Sequence, residues 1–301
     1  GDPDRAVDEL RSRVASLGRE ERPVAAWCLE DLTRDADEAT RRGVRDLLDE
    51  TGAIELAEQS TRRWMPWRRA LACETLGAIG AERSVPVLLE RLDDPRGEVR
   101  VAAARALGAI GSPTAAESLA SLFLERRAVP TGVAYDALRS LGAPGAEAFR
   151  RGLRSPDPTI RVASCFGVAA LSAEDASSAT EAVAQRLAGD DDMRVRTAAA
   201  KALGVIGGTT PHRVLVEAAH DPELRVRREA VVALGLFDAP DSVDLLAAAA
   251  QDPDREVALR SAEALLALGA RPAAGGAARA ALASSPAWSV DYVRTTSELA
   301  A

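Results

Sequence analysis

The sequence predicts an all-α fold of stacked helical hairpins, and three observations carry that expectation. Of its 301 residues 47 % are apolar but only 3 % aromatic, so Ala, Leu and Val must build the core, which suits close-packed helices better than a sheet of large β-formers. The stretch DPRGEVRVAAARALGAIG from Asp94 returns as DPELRVRREAVVALGLF from Asp221, 127 residues later, with charges and small residues in the same places. Within it Val99, Ala102, Ala103, Ala106, Leu107 and Ile110 lie at i, i+3, i+4, i+7, i+8 and i+11, a single stripe at helical period.

The repeat runs further. Leu-Gly pairs end the stretch at Leu76-Gly77, Leu107-Gly108, Leu141-Gly142, Leu203-Gly204 and Leu234-Gly235, with Val168-Ala169 and Leu265-Leu266 as degenerate members, at spacings of 27 to 35 residues. Such a period marks a solenoid whose units cannot bury their own apolar faces and must stack on neighbours. The expected organisation is an N-terminal helical cap over residues 1–60 and one continuous solenoid over 61–301.

Taken in order, VDELRSRVASL from Val7, PVAAWCLEDL from Pro23, RRGVRDLLDETG from Arg41 and IELAEQS from Ile54 read as short helices of the cap. Trp64 and Trp67 precede the first good repeat and are expected to seal the cap onto the solenoid. Each repeat then opens with a shorter helix, SVPVLLERL from Ser84, HRVLVEAA from His212 or SVDLLAAAA from Ser242. Asp94-Pro95, Asp221-Pro222 and Asp252-Pro253 are expected to cap the second helix, with proline in its first turn where a missing N–H costs nothing. Gly111 and Gly207 supply left-handed stops behind it, and WSVDYVRTTSELAA from Trp288 reads as a last second helix. GGTTP at Gly207 and PAAGG at Pro272 follow no strand and carry no Lys-Ser/Thr for a phosphate, so both are turns.

The order Asp-Pro, Val-Arg, alanine-rich run, Leu-Gly, with Val99-Arg100, Ile160-Arg161, Val195-Arg196 and Val226-Arg227 as the clearest Val-Arg pairs, resembles the HEAT repeat in the short variety of the phycobilisome lyase-like HEAT family. The resemblance covers residues 61–301. It implies a right-handed α-α superhelix whose second helices line a concave surface, and a role in binding protein. Ala134 and Ala258 depart from the pattern where arginine is expected, as does the spacing of 27 between Val133 and Ile160; these are expected changes of stacking angle. The segments RRWMPWRRALACETLGAIG and ERRAVPTGVAYDALRSLG are similar to those of membrane-tethered bacterial HEAT proteins. That likeness implies a cytoplasmic solenoid held at the inner face of a membrane by an anchor upstream of Gly1, with a membrane-associated enzyme such as a glycosyltransferase as partner and no other membrane contact.

Charge narrows the function classes. The formal net charge is -8, which opposes general binding to nucleic-acid phosphates or anionic lipid. Only Lys201 among the 38 basic residues is lysine, a bias that says little about phosphate binding. Cys28, Cys73 and Cys165 are too few and too scattered for a disulfide framework or a metal knuckle, which points to a reducing compartment. No apolar run reaches the ~18 residues of a membrane span. His212 and His220 are the only histidines and neither is followed by Glu, unlike the paired His-Glu steps of HEAT-like metal hydroxylases. Scattered Trp27, Trp64, Trp67 and Trp288 in an acidic chain do not make the basic groove of a base-excision enzyme. The expectation is a protein without catalysis, metal or cofactor; a chromophore lyase-like or base-excision enzyme with an unrecognised site is the alternative.

With the buried stripe fixed, positions +2, +5 and +6 from the repeat's Val are expected to face away from the core. Position +6 holds Glu74, Arg105, Arg139, Phe166, Lys201, Val232 and Glu263; position +2 adds Val101, Tyr135, Val162, Thr197, Arg228 and Leu259. Arg105, Tyr135, Arg139, Val162, Phe166, Lys201, Arg228 and Val232 are the expected contacts for a protein segment with apolar anchors and acidic flanks; the bland reading is ordinary solvated surface. The Val-Arg arginines are expected to reach a carboxylate of the neighbouring repeat and fix its register.

Overall fold

The computed structural model describes residues 38–125 and 128–300, and every regular element among them is helical. The chain divides into two compact units, residues 1–148 and 149–301. The first contains α1 (Glu38–Glu50), α2 (Ala53–Ser60), α3 (Pro66–Ile79), α4 (Val85–Arg91), α5 (Gly97–Ile110), α6 (Ala116–Leu124) and α7 (Thr131–Ser140), and ends inside α8 (Ala143–Gly152). The second contains α9 (Pro158–Ala169), α10 (Ala173–Gly189), α11 (Met193–Ile206), α12 (Thr209–Ala218), α13 (Leu224–Leu234), α14 (Asp241–Ala249), α15 (Arg255–Leu268), α16 (Gly275–Ser284) and α17 (Trp288–Ala300). The expected helices at 7–17 and 23–32 lie outside the described residues, together with Trp27 and Cys28; the next two stretches of the expected cap are α1 and α2.

Paired helices form the hairpins: α2 with α3, α4 with α5 and α6 with α7 in the first unit, α10 with α11, α12 with α13 and α14 with α15 in the second. Second helices stack on one another, α3 on α5 and α5 on α7, and likewise from α9 through α11, α13 and α15 to α17. The stacking follows from the stripe. Val99, Ala103 and Leu107 are fully buried, as are Val195, Ala199 and Leu203, and each such leucine is worth about 1.5–3 kcal/mol.

The Leu-Gly glycine sets how closely the helices approach. A Cβ on Gly77 would stand 2.5 Å from the Cα of Ala106, and one on Gly108 2.6 Å from the Cα of Ala137. Gly204 and Gly235 meet Ala233 and Ala264 in the same way, at 2.8 and 2.7 Å from their Cβ atoms. Glycine here is a contact surface for the next helix. At Gly80 and Gly111 it serves the other purpose, a left-handed stop at φ 68° and 74°.

Two expectations need correction. Position +5 does not face water: Ala104, Cys165, Ala200, Val231 and Ala262 are all completely buried, because the stripe widens to meet the second helices on either side. The aspartates at 94, 221 and 252 are not N-caps either. α5, α13 and α15 take Arg96, Glu223 and Asp254 at that position. Asp94, Asp221 and Asp252 instead accept the backbone N–H two residues on, from Arg96, Glu223 and Asp254 at 2.8–2.9 Å, and so hold the turn before the helix. Real side-chain caps come from Asp157, Asp192 and Asp254.

These turn aspartates, and Asp190, which holds the turn before α11 by accepting from the Asp192 N–H at 3.0 Å, also take the arginine of the preceding repeat. Arg69 donates to both oxygens of Asp94 at 2.8 and 2.9 Å, Arg161 to both of Asp190 at 2.8 Å, and Arg196 to both of Asp221 at 2.8 and 3.1 Å. Each arginine also donates Nη1 to the carbonyl six residues before it, Arg63, Ser155 and Asp190 respectively. One guanidinium therefore fixes its own turn and the next repeat, and bidentate geometry leaves little freedom in register. Arg227 reaches Asp252 more loosely, at 3.4 Å. Arg100 meets no carboxylate among the described residues and donates to the Ala128 carbonyl at 2.7 Å. Where Ala258 replaces the arginine, the Ser289 hydroxyl donates to the Ala250 carbonyl at 2.7 Å.

Candidate interaction surface

Once the stripe and the stacked neighbours occupy most of a second helix, what remains is a strip at +6 flanked by +2. All seven +6 residues are exposed, and +2 is half-buried at Val101, Tyr135, Val162, Thr197, Arg228 and Leu259. In this respect the sequence located the open face correctly. The two units carry different chemistry on it.

In the first unit Arg105 on α5 and Arg139 on α7 are exposed, with no partner among the described residues. Tyr135 lies one turn before Arg139. Burial pushes its phenol up from the usual value, against the opposing pull of the Arg139 charge, so the ring is a neutral, half-covered platform.

In the second unit the cations counted from the sequence are already engaged. Lys201 on α11 stands 3.6 Å from Glu229 on α13. Arg228 lies 3.5 Å from Glu229 and donates to Glu256 on α15 at 2.9 Å. Phe166 and Val232 are both 39 % exposed and Val162 is half-buried. One turn beyond the +6 row lie Val205 on α11 and Leu236 after α13, which the sequence reading missed; they are 68 % and 53 % exposed. Their signal was available at +10 from Val195 and Val226. The Leu236 side chain also reaches over α11, 3.4 Å from where a Cβ on Gly204 would be. The row here is apolar and self-neutralised, whereas the sequence suggested a basic one.

Residues weighed for chemistry sit as follows. Cys73 and Cys165 are buried free thiols, and burial pushes both up to about 12. His212 Nε2 is 2.6 Å from the buried Ser242 hydroxyl, and its ring packs 5.5 Å from that of Phe237, so it pins α12 to the following repeat. His220 lies exposed in a turn. No group of three or more His, Cys, Asp or Glu among the described residues is placed to hold a metal ion. No described helix is long and apolar enough to cross a membrane. Trp64 and Trp67, expected to seal the cap onto the solenoid, are instead 80 % and 56 % exposed.

Repeated helical hairpins, several of them clamped to the next by an arginine, and an open strip on their second helices define a helical-repeat solenoid protein. Sequence profiles of HEAT repeats match residues 54–142, 146–223 and 212–300. The chain belongs to the HEAT-repeat family. No curated protein sequence matches it significantly. Among solved structures it is similar to an engineered protein at 20 % identity and a TM-score of 0.46, over 94 % of this chain and 85 % of that one. A second engineered protein matches at 21 % identity and a TM-score of 0.38, over 71 % and 96 %. Human deoxyhypusine hydroxylase, in a glycerol complex, matches at 21 % and 0.32, over 89 % and 94 %.

Proposed function

We propose that this chain is a non-catalytic scaffold that binds a segment of another protein on the exposed strip of its second helices. HEAT repeats build extended surfaces suited to such a role. The observation that carries the reading is the +6 row, open on every second helix and holding Phe166 and Val232 where the repeat itself needs no hydrophobe. Anchors of this kind, bordered by ion pairs, are what a partner's apolar side chains seat against. The reading without catalysis is supported by the state of the thiols, buried and held protonated. A reducing, cytoplasmic setting belongs to the same reading, supported by their being free. The likeness to membrane-tethered proteins supplies one named candidate, a membrane-associated enzyme such as a glycosyltransferase.

The test places a photo-crosslinking residue in turn at Arg105, Arg139, Phe166 and Val232, and at Arg213 on the exposed side of first helix α12 as control. A single protein crosslinked from row positions and not from Arg213 is the expected result. Equal yields from all five sites would remove the row as a binding surface.

A further inference from the structure

The first complete repeat breaks the pattern of the others at its leading edge. The arginine clamp supplies the register: Arg69 donates to the Arg63 carbonyl as Arg100 does to the Asp94 carbonyl. Arg63 therefore occupies the place of Asp94, Asp190 and Asp221, and Trp64 the place of Pro95 and Pro222. Trp67 likewise stands where other second helices carry Glu98, Gly132, Thr159, Arg194, Arg225 or Glu256. Aspartate holds the first of these positions in most repeats, with Ala128 and Ser155 as the exceptions, and the repeats from Asp94 to Leu268 put no aromatic residue at any of the three; this repeat presents a cation and two indoles.

Neither indole is packed away. Trp64 is 80 % exposed, Trp67 56 % and Leu71, one turn further along α3, 41 %. Arg68 lies over the Trp67 ring at 5.1 Å. Arg62, Arg63 and Arg68 are exposed and have no carboxylate partner among the described residues. The nearby Asp94 is already occupied by Arg69 on both oxygens. An apolar patch bordered by guanidinium groups that have no carboxylate partner among the described residues thus sits on a chain of net charge -8.

We infer that Arg62, Arg63, Trp64, Trp67, Arg68 and Leu71 form a second docking surface, separate from the +6 row, for an acidic protein segment that carries an aromatic or aliphatic anchor. Charge complementarity fixes the sign of the occupant, and tryptophan with arginine is the pairing enriched where binding energy concentrates. Size and long-range charge choose a peptide over an anionic membrane. A segment seated on these side chains feels most strongly the arginines it touches, because charges beyond about a Debye length, ~8 Å at physiological salt, are screened. A lipid plane extends beyond that range and meets the rest of an acidic protein.

The experiment selects displayed random twelve-residue peptides on the immobilised full chain, then measures the enriched peptides by fluorescence anisotropy. Against the native chain stand Trp64→Ser/Trp67→Ser, Arg62→Gln/Arg63→Gln/Arg68→Gln, and Phe166→Ser/Val232→Ser, each first shown to keep the native melting temperature. Enriched sequences rich in Asp and Glu around a hydrophobic residue are expected. Their affinity should fall tenfold or more with either of the first two variants, weaken with added salt in the native chain, and stay unchanged with the third. Peptides without acidic bias, or binding that survives both patch variants, overturn the proposal. So do flotation with phosphatidylglycerol vesicles that needs the patch, which assigns it to lipid, and concentration-dependent self-association lost in the patch variants, which assigns it to a second copy. Loss of peptide binding in the third variant alone would point to the +6 row, so this surface can fail while the scaffold reading stands.

Discussion

The two units use one architecture and differ in how they engage the cations of their clamps and of the open row. In the second, Arg161, Arg196 and Arg227 each reach a turn aspartate of the next repeat, and Lys201 and Arg228 meet Glu229 and Glu256. In the first only Arg69 has such a carboxylate; Arg100 ends on a backbone carbonyl, and Arg62, Arg63, Arg68, Arg105 and Arg139 have no carboxylate partner among the described residues. A net charge of -8 therefore conceals a difference along the clamps and the open row: Lys201 and Arg228 of the second unit meet carboxylates, whereas Arg105 and Arg139 of the first have none among the described residues.

The largest effect that probes this contrast is removal of a clamp. Asp190 is 1 % exposed at its side chain and Arg161 13 %, so Arg161→Leu strands a buried carboxylate with only Arg186 nearby, at 3.4 Å. The expected loss is about 2–4 kcal/mol. Arg100→Leu should cost only about 1 kcal/mol, because the exposed Ala128 carbonyl can turn to water. Urea unfolding of both variants decides it, and equal losses would mean that the aspartate adds nothing to the clamp.

What the units share should respond alike. Gly108→Ala and Gly204→Ala each push a methyl into the next helix, with an expected cost of about 1–3 kcal/mol although alanine is the better helix former. Gly108 should be the worse of the two, since its Cβ would crowd the backbone of Ala137. Gly132 has open space at the same test, so Gly132→Ala should gain up to about 1 kcal/mol. Thermal melts of the three variants would break the argument if Gly108→Ala proved stabilising.

Much of this was legible before any coordinates. Period, hairpins, stripe and open +6 row follow from spacing alone, because a helix fixes which residues share a face. Spacing does not state width, so +5 was misplaced: whether Ala104 meets water depends on how near Gly77 and Gly108 bring the flanking helices. Nor does spacing separate an N-cap from a turn holder two residues earlier, since Asp94-Pro95 and Asp157-Pro158 look alike and do different work. The pairing of Lys201 with Glu229 crosses repeats 28 residues apart, and only stacking brings them together.

Acid should widen the contrast between the units. Burial pushes Asp94 and Asp190 up, but hydrogen bonds from Arg69 or Arg161 and from a backbone N–H, with the neighbouring arginine charges, more than offset it and hold both below the usual carboxylate range. Asp192 is held at about 2, chiefly by the hydrogen bond from Arg194. A carboxyl lowered by folding stabilises fully above its unfolded value, about 3.9, and ceases to as pH falls through its folded value. Asp190 and Asp192 share the one turn before α11, whereas Asp94 stands alone before α5 and the other lowered carboxyl of the first unit, Glu55, lies on α2, so α11 should lose amide protection before α5 between about pH 4 and 2. Hydrogen exchange with mass-spectrometric readout would contradict this if α5 opened first.

The smallest effect on stability is the most telling about binding. Arg139→Gln and Lys201→Gln both change exposed residues and should leave unfolding within about 0.5 kcal/mol of the native chain. Their consequences for a partner crosslinked at the row should differ. Arg139 offers a free charge, so its loss should reduce partner yield severalfold at low salt and make little difference at high salt. Lys201 is already held against Glu229, which keeps Arg228 beside it when the lysine is gone, so its loss should change the yield less than about twofold. A larger effect at Lys201 than at Arg139 would mean that the partner displaces the internal ion pair, and that neutralisation at home does not withdraw a cation from the surface.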